Sequence, residues 1–600
     1  MRPATAALLV VSCELLSVVS VAADKALYWG DVHLHTNLSF DAYINGTRTI
    51  GPTQAYQFAQ GKTVVSNTGL EVQLKRPLDF LAITDHTENM GLYTRIDARD
   101  PLVVGTSVAQ RYTELLSLVK EFGLRGAFMR SMRSAGPLPD MPALTRNAVW
   151  DEVTTLADDH NQPGKFTTLI GYEWTAMITG DNLHRVVLYR DGAELAMRRL
   201  PLEASSDPDP ESLWAELERY ETETGGNVLA IAHNGNLSNG RMFANTRLNG
   251  GAIDRNYAER RARWEPVYEV TQVKGDGETH PALSPGDSYA DFETWDRGNV
   301  AGTEAKTPDM LDREYARSAL MAGLAHEQSI GANPFRFGLI GSTDSHTGLS
   351  ATREDNFLGK FAGSEPSVER LKTHMAGMAD FDRELAASGL IAVWAEENTR
   401  GAIFDAIKRR EVYATTGSRI GLRVHAGWNY KPSDVKHHNC LSSGCSLGVP
   451  MGATLGPTDS SDAPTFLIDA LKDPLGADLE RVQVVKGWVD NEGNTHEKVY
   501  DVIVASSETQ DEVAERSVLP GEANDKHDQG AAALSGWWQD PDFNPAWPAF
   551  YYVRVLEVPA ARWTTRDAVR YDVPAPQDVP AFIQDRAYSS PIWYQPPTVD

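Results

Sequence analysis

Short apolar runs that each end in His, Asp or Glu recur through the first two-thirds of the chain, and this pattern constrains the fold more than any other feature. Ala26-Leu27-Tyr28-Trp29 leads into Gly30-Asp31-Val32-His33-Leu34-His35, and Phe80-Leu81-Ala82-Ile83 into Thr84-Asp85-His86. Thr168-Leu169-Ile170-Gly171 leads into Tyr172-Glu173, residues 228–232 into His233-Asn234, and residues 337–340 into Asp344-Ser345-His346. Residues 185–189 and 267–270 are further candidate strands, and residues 107–122, 210–222 and 399–410 have helical spacing. Apolar strands alternating with helices predict an α/β fold with parallel strands covered by helices, and a barrel as the closure. In such a barrel the strand ends converge on one rim, where active sites lie.

The rim residues have metal-ligand chemistry. Side chains at i and i+2 of an extended segment share a face, so His33 and His35 can point at one ion. Each single motif is weak; TDH alone is also a natural helix cap. Their joint recurrence is the signal. His184 fits it poorly, because it begins its strand instead of ending one. The other histidines, among them His160, His280, His326 and His374, lack this context and read as structural or exposed.

The rest of the chain bounds the reading. With 600 residues and 42% hydrophobic content the chain suits two globular domains. Two polar stretches, about 91–147 and 237–333, read as insertions that could wall an active-site mouth. After about residue 420 helical periodicity fades and β-type runs appear at 465–468, 482–485, 499–504 and 550–556, which predicts a sandwich-like β-rich domain over 421–600. Its aromatic residues Trp537, Trp538, Trp547 and Trp593 suit either a sugar surface or a sandwich core. A net charge of −26 argues against a nucleic-acid partner. Residues 1–23 read as an export signal with small residues before Asp24, so the protein is expected in the periplasm or secreted; Cys13 offers lipoprotein anchoring as an alternative. No later run spans a bilayer. Cys440 and Cys445 pair as a disulfide in an oxidising compartment, or join His437 and His438 around zinc.

Cations near the motifs can orient an anionic substrate. Lys274, just after a candidate strand end, is the first choice; Arg185, Arg241 and Arg353 follow. Asn234 and Asn236 can donate hydrogen bonds, though Asn-Gly is also ordinary turn chemistry. Asp85 can orient an imidazole from behind.

In their order, these motifs resemble the polymerase-and-histidinol-phosphatase (PHP) superfamily. Tyr28 to Thr36, Ile170 to Trp174, His233 to Ser238, Gly341 to Gly348 and Glu397 to Arg400 resemble more closely a family of large exported bacterial proteins within it, classed as a domain of unknown function. The resemblance implies a distorted β/α barrel over 24–420 and a two- or three-metal centre of zinc, manganese or iron. It implies that His33, His35, Glu173 and Asp344 hold one metal, that Glu173 bridges to a second completed by His184 and His233, and that Asp41, His86 and His346 hold a third. It implies hydrolysis of a small-molecule or glycan ester by metal-activated water, with Glu173, Asp344 and Lys274 as the catalytic set and phosphoester as the favoured bond. A sulfate ester or amide would suit the same ligands. A non-catalytic surface or carbohydrate-binding protein on the same scaffold is the alternative from another class. Oligomeric state is left open.

Overall fold

The computed structural model describes residues 25–135, 141–205, 207–372, 382–436, 448–458, 462–505 and 530–597. The expected export signal, Cys13, His374 and the His437, His438, Cys440 and Cys445 group lie outside the described residues.

The first part contributes strands β1 (Ala26–Asp31), β2 (Phe80–Ile83), β3 (Thr167–Trp174), β4 (Arg185–Tyr189), β5 (Val228–His233), β6 (Val267–Gln272), β7 (Gly338–Gly341), β8 (Leu390–Ala395) and β9 (Val412–Thr415). They pair in the order β6–β5–β4–β3–β2–β1–β8–β9, with β7 beside β6. The class is α/β as expected, but two details differ. First, β4 runs antiparallel to both β3 and β5, while β1/β2, β2/β3, β5/β6 and β6/β7 are parallel. Second, the ladder does not close into a barrel. The free edge of β1 is taken by antiparallel β8, so β7 meets β1 only beyond their ends, through a parallel bridge between Leu34 and Ser345. The stretch at 237–333, read as an insertion, contains β6, the strand expected at 267–270.

The strands read as continuous apolar runs because both faces are buried. On one face Phe80, Ala82, Leu169, Val186, Leu188, Leu229, Ile231, Val267 and Ile340 form an inner layer. On the other, Leu81, Ile83, Ile170, Val187, Ala230 and Leu339 belong to a larger outer core. The inner layer is closed by helix α1 (Arg400–Lys408), which contributes Ile403, Phe404 and Ile407. That helix starts where Thr399 Oγ1 accepts from the Ala402 amide at 3.3 Å, a side-chain cap for an otherwise unpaired donor.

The C-terminal region is β-rich. Strands β10 (Gly421–Gly427), β11 (Thr465–Leu471), β12 (Leu479–Val489), β13 (Thr495–Val504), β14 (Ala533–Gln539), β15 (Ala549–Glu557) and β16 (Arg586–Ser589) cover the runs expected there. β10, β11 and β14 form one antiparallel sheet. β13, β12, β15 and β16 continue the first sheet, joined to it where β16 pairs with β9. Phe466 joins the two sheets, its ring 5.0 Å from that of Tyr551 and 5.3 Å from that of Trp538. Trp593 is fully buried, so it and Trp538 serve the core.

Candidate metal centre

The inner face that is apolar at the helix-covered end becomes polar at the other. Side chains alternate along a strand, so the inner parity carries Leu169 to Glu173, Val267 to Glu269, and Leu229 and Ile231 to His233. In antiparallel β4 the same parity runs backwards, from Leu188 and Val186 to His184. His184 therefore precedes its strand and still reaches the common rim. Glu173, His184, His233, Glu269 and Asp344 are all buried there.

These side chains gather around Glu173. The ligating atoms His33 Nε2 and His35 Nε2 are 3.1 Å apart, and each faces Glu173 Oε2, at 3.4 and 3.1 Å. Asp344 Oδ1 lies 3.5 Å from His33 Nε2 and 3.4 Å from His35 Nε2. Ligand atoms of a tetrahedral ion with bonds of about 2.0–2.1 Å stand roughly 3.3–3.4 Å apart, so His33, His35 and Glu173 suit one metal, with Asp344 beside the two imidazoles. The other carboxylate oxygen, Glu173 Oε1, faces His184 Nδ1 at 2.7 Å and His233 Nε2 at 2.9 Å, which suits a bridging carboxylate. Asp41 Oδ2 faces His346 Nε2 at 2.7 Å and His86 Nε2 at 3.4 Å, a third group reached through His86, whose Nδ1 is 3.1 Å from Glu173 Oε2. All nine residues expected as ligands are thus brought together.

The backbone is built to present them. Asp31 accepts from the amides of His33 and Thr343 at 3.1 Å each, and from the hydroxyls of Thr343 and Ser350 at 2.6 and 2.7 Å, tying the ends of β1 and β7 together. Asp344 adopts a left-handed φ of +49° and Asn234 one of +51°, conformations that Asp and Asn tolerate better than other side chains. Behind the imidazoles stand orienting acceptors. His35 Nδ1 meets Ser39 Oγ at 2.8 Å, and that hydroxyl donates to Asp85 Oδ1 at 2.8 Å, so Asp85 acts on His35 through Ser39. His33 Nδ1 meets both Glu269 oxygens, at 3.1 and 3.0 Å.

Charge inside the cluster is strongly coupled. Burial works against ionisation of Glu173, but His86, His184 and His233 outweigh it and hold its carboxyl well below the usual range. Burial likewise opposes Asp344, which Lys274, Lys360 and His33 hold low. Burial dominates at His184 and pulls it to about 4, leaving the neutral, ligating form. His184 Nε2 and His233 Nδ1 are buried with no hydrogen-bond partner.

The expected substrate-orienting residues divide. Lys274 reaches the cluster, its Nζ 2.5 Å from Asp344 Oδ2. Asn234 Oδ1 accepts from Gln272 Nε2 at 2.7 Å, and the same amide donates to Asp344 Oδ2 at 2.7 Å. Asn236 instead holds a loop, donating to the carbonyls of Lys274 and Trp295 at 3.2 and 3.4 Å. Arg185 is turned away: it has outer parity, and its guanidinium binds Glu265 at 3.0 Å and the Leu183 carbonyl at 2.6 Å. Arg241 pairs with Asp181 at 2.6 Å, and Arg353 with Asp355 at 3.0 Å. Sequence reasoning missed Glu269 and Lys360. Glu269 could have been found by parity, two residues after inner Val267. Lys360 sits in a loop with no such signal, yet its Nζ lies 3.1 Å from Asp344 Oδ1 and donates to the Asp344 carbonyl at 2.8 Å.

Fold and site together define a mixed α/β protein with a buried His/carboxylate centre whose groups could hold a divalent metal. The chain belongs to the family described as proteins of unknown function DUF3604, whose model matches residues 22–596. A search of curated proteins finds no match. Among solved structures, a two-domain protein from Bacteroides vulgatus containing a predicted PHP-like metal-dependent phosphoesterase aligns over 80% of this chain and 85% of its own, at 11% identity and a TM-score of 0.27. Among the described residues no helix is long and apolar enough to cross a membrane.

Proposed function

We propose that the protein is an exported metal-dependent hydrolase whose substrate is a phosphoester. The observation that carries this reading is the bridge: one carboxylate, Glu173, faces the His33, His35 and Asp344 group with one oxygen and the His184 and His233 pair with the other. Divalent metals held there would supply a water of lowered pKa and Lewis acidity toward an ester oxygen. The chain's own residues do the rest. Glu269 accepts from His33 Nδ1 and so keeps the His33 Nε2 lone pair facing inward. Lys274 and Lys360 flank the Asp344 carboxylate and set two positive charges beside the place where an anionic group would sit. Burial of the centre, in which Asp41 alone of the nine residues is partly exposed, limits bulk water. Export rests on the apolar, small-residue N-terminal segment alone.

The test is metal analysis of protein purified without chelator, followed by a panel of phosphate monoesters and diesters, sulfate esters and amides. At least two metals per chain and phosphate release that disappears in Glu173→Gln are expected. Fewer than two metals at saturation would break the bridged-site reading. Release of sulfate or amine without phosphate would move the activity to that bond, and no turnover of any substrate by the loaded protein would favour a binding role.

A further inference from the structure

A separate cleft is lined by Leu183 and Arg185, the chain neighbours of His184. It measures about 380 Å³ and is lined also by Arg241, Arg247, Arg261 and Arg313, with Asp209 the one acidic side chain on its wall. Five guanidinium groups in one cleft stand out in a chain of net charge −26. Local cations of this kind can attract an anion despite the global field.

The arginines are not equivalent. Arg185 and Arg261 are buried and share the Glu265 carboxylate. Arg247 is committed to Glu211, Asp254 and the Ala252 carbonyl. These three build the wall. Arg241 uses its Nε on Asp181. Arg313 donates to the Asp309 carbonyl at 2.9 Å, its side chain stands 3.8 and 3.9 Å from the carboxylates of Asp309 and Asp312, and its buried Nε has no acceptor. Gly240, the residue before Arg241, has a φ of +79°, and a Cβ there would lie 2.9 Å from Arg313 Nη2. The absence of a side chain there is what lets the guanidinium fold against the backbone.

The cleft is tied to the metal centre by two short stretches. Its wall residues Leu183 and Arg185 flank His184, and Asn239 to Met242 follow the turn after His233. Asn182 Nδ2 donates to the His233 carbonyl at 2.8 Å, binding the two stretches to each other.

We propose that this cleft, through Arg313 and Arg241, binds a second oxyanion group of the substrate, so that the preferred substrate is an ester carrying a further carboxylate, sulfate or phosphate at a distance from the reacting bond. This rests on the hydrolase reading for its substrate half and not for its binding half. Two experiments on the full-length protein separate them. First, metal-stripped wild type and Arg313→Gln are titrated calorimetrically with inorganic phosphate, inorganic sulfate and citrate. At least one anion is expected to bind the wild type, with affinity about tenfold lower in the variant. Arg313→Lys, which keeps the charge, is expected to fall between them. Unchanged affinity in Arg313→Gln, or no binding of any of the three anions, would overturn the site. Second, kcat/KM is measured for p-nitrophenyl phosphate and for an analogue bearing a carboxylate or second phosphate on a flexible arm. The ratio favouring the two-anion ester is expected to fall by about tenfold in Arg313→Gln and Arg241→Gln. An unchanged ratio would overturn the assignment to substrate. If no ester is hydrolysed, the hydrolase reading fails, and the titration still decides the site.

Discussion

Two of the buried clusters of charged side chains are built on opposite principles. At the junction with the C-terminal sheet, Arg317 and Arg554 meet Glu278 and Asp287 at 2.6–2.9 Å. Every guanidinium nitrogen there has an acceptor; Tyr552, Ser284 and Gln483 complete the set. At the rim, four carboxylates face six imidazoles, and His33 Nε2 and His35 Nε2 lie 3.1 Å apart and within 3.1–3.5 Å of Glu173 Oε2 and Asp344 Oδ1. Two ring nitrogens have no partner at all. A buried polar network that closes on itself is structural; one left short of positive charge and of hydrogens is built to receive an ion.

The largest effect is expected from breaking the closed network. Arg317→Met leaves Glu278 and Asp287 each short of a partner and should cost about 3–5 kcal/mol. Urea unfolding followed by tryptophan fluorescence reads this, and metal content should be unchanged. A metal loss of the same size would show that the junction supports the rim, and would blur the contrast. Next comes the shell of the open cluster. Glu269→Gln removes the charge that orients His33 and should lower metal affinity by roughly 10–100-fold. Competition with a chelator reads this, and the urea midpoint of the metal-free protein should move little.

The same contrast governs what could be read from the sequence. The open cluster was legible because strand ends repeat and ligand chemistry is confined to few residue types. The inner and outer parity was legible in principle but went unused; it accounts for His184, reveals Glu269 and removes Arg185. The junction network was invisible. Arg317, the Glu278 and Asp287 loop, and Arg554 come from three separate segments, and no local spacing marks an arginine that will be buried. Ladder closure also could not be read, because the partner of β1 is decided by β8, which lies more than three hundred residues later in the chain.

Acid should separate the clusters further. Metal ligands must be deprotonated, so metal content should fall as pH drops through the imidazole range, around pH 6–7. At the junction, burial works against ionisation of Asp287, but Arg554 and Arg317 hold its carboxyl far below the usual range. A depressed folded-state value gives stability that is fully present above the unfolded carboxylate value, about 3.9, and lost as pH falls through the folded one. The advantage of wild type over Asp287→Asn should therefore be constant from pH 7 to about 5 and shrink below about 4. A difference that already narrows near pH 6 would tie the junction to metal loss.

The smallest effect sets the scale for the others. Arg255 and Glu259 form an ion pair at 2.7 Å, as short as those at the junction, but their side chains are 67% and 56% exposed. Water solvates both charges when the pair is broken, so neither is stranded. The i,i+4 geometry should be worth only about 0.3–0.5 kcal/mol in a double-mutant cycle, and less at high salt. Arg317 and Glu278, at 2.6 Å, differ from this pair in burial rather than in chemistry or distance. If the two cycles gave similar coupling energies, burial would not be what separates them, and the rim's shortage of partners would lose its meaning as the mark of a binding site.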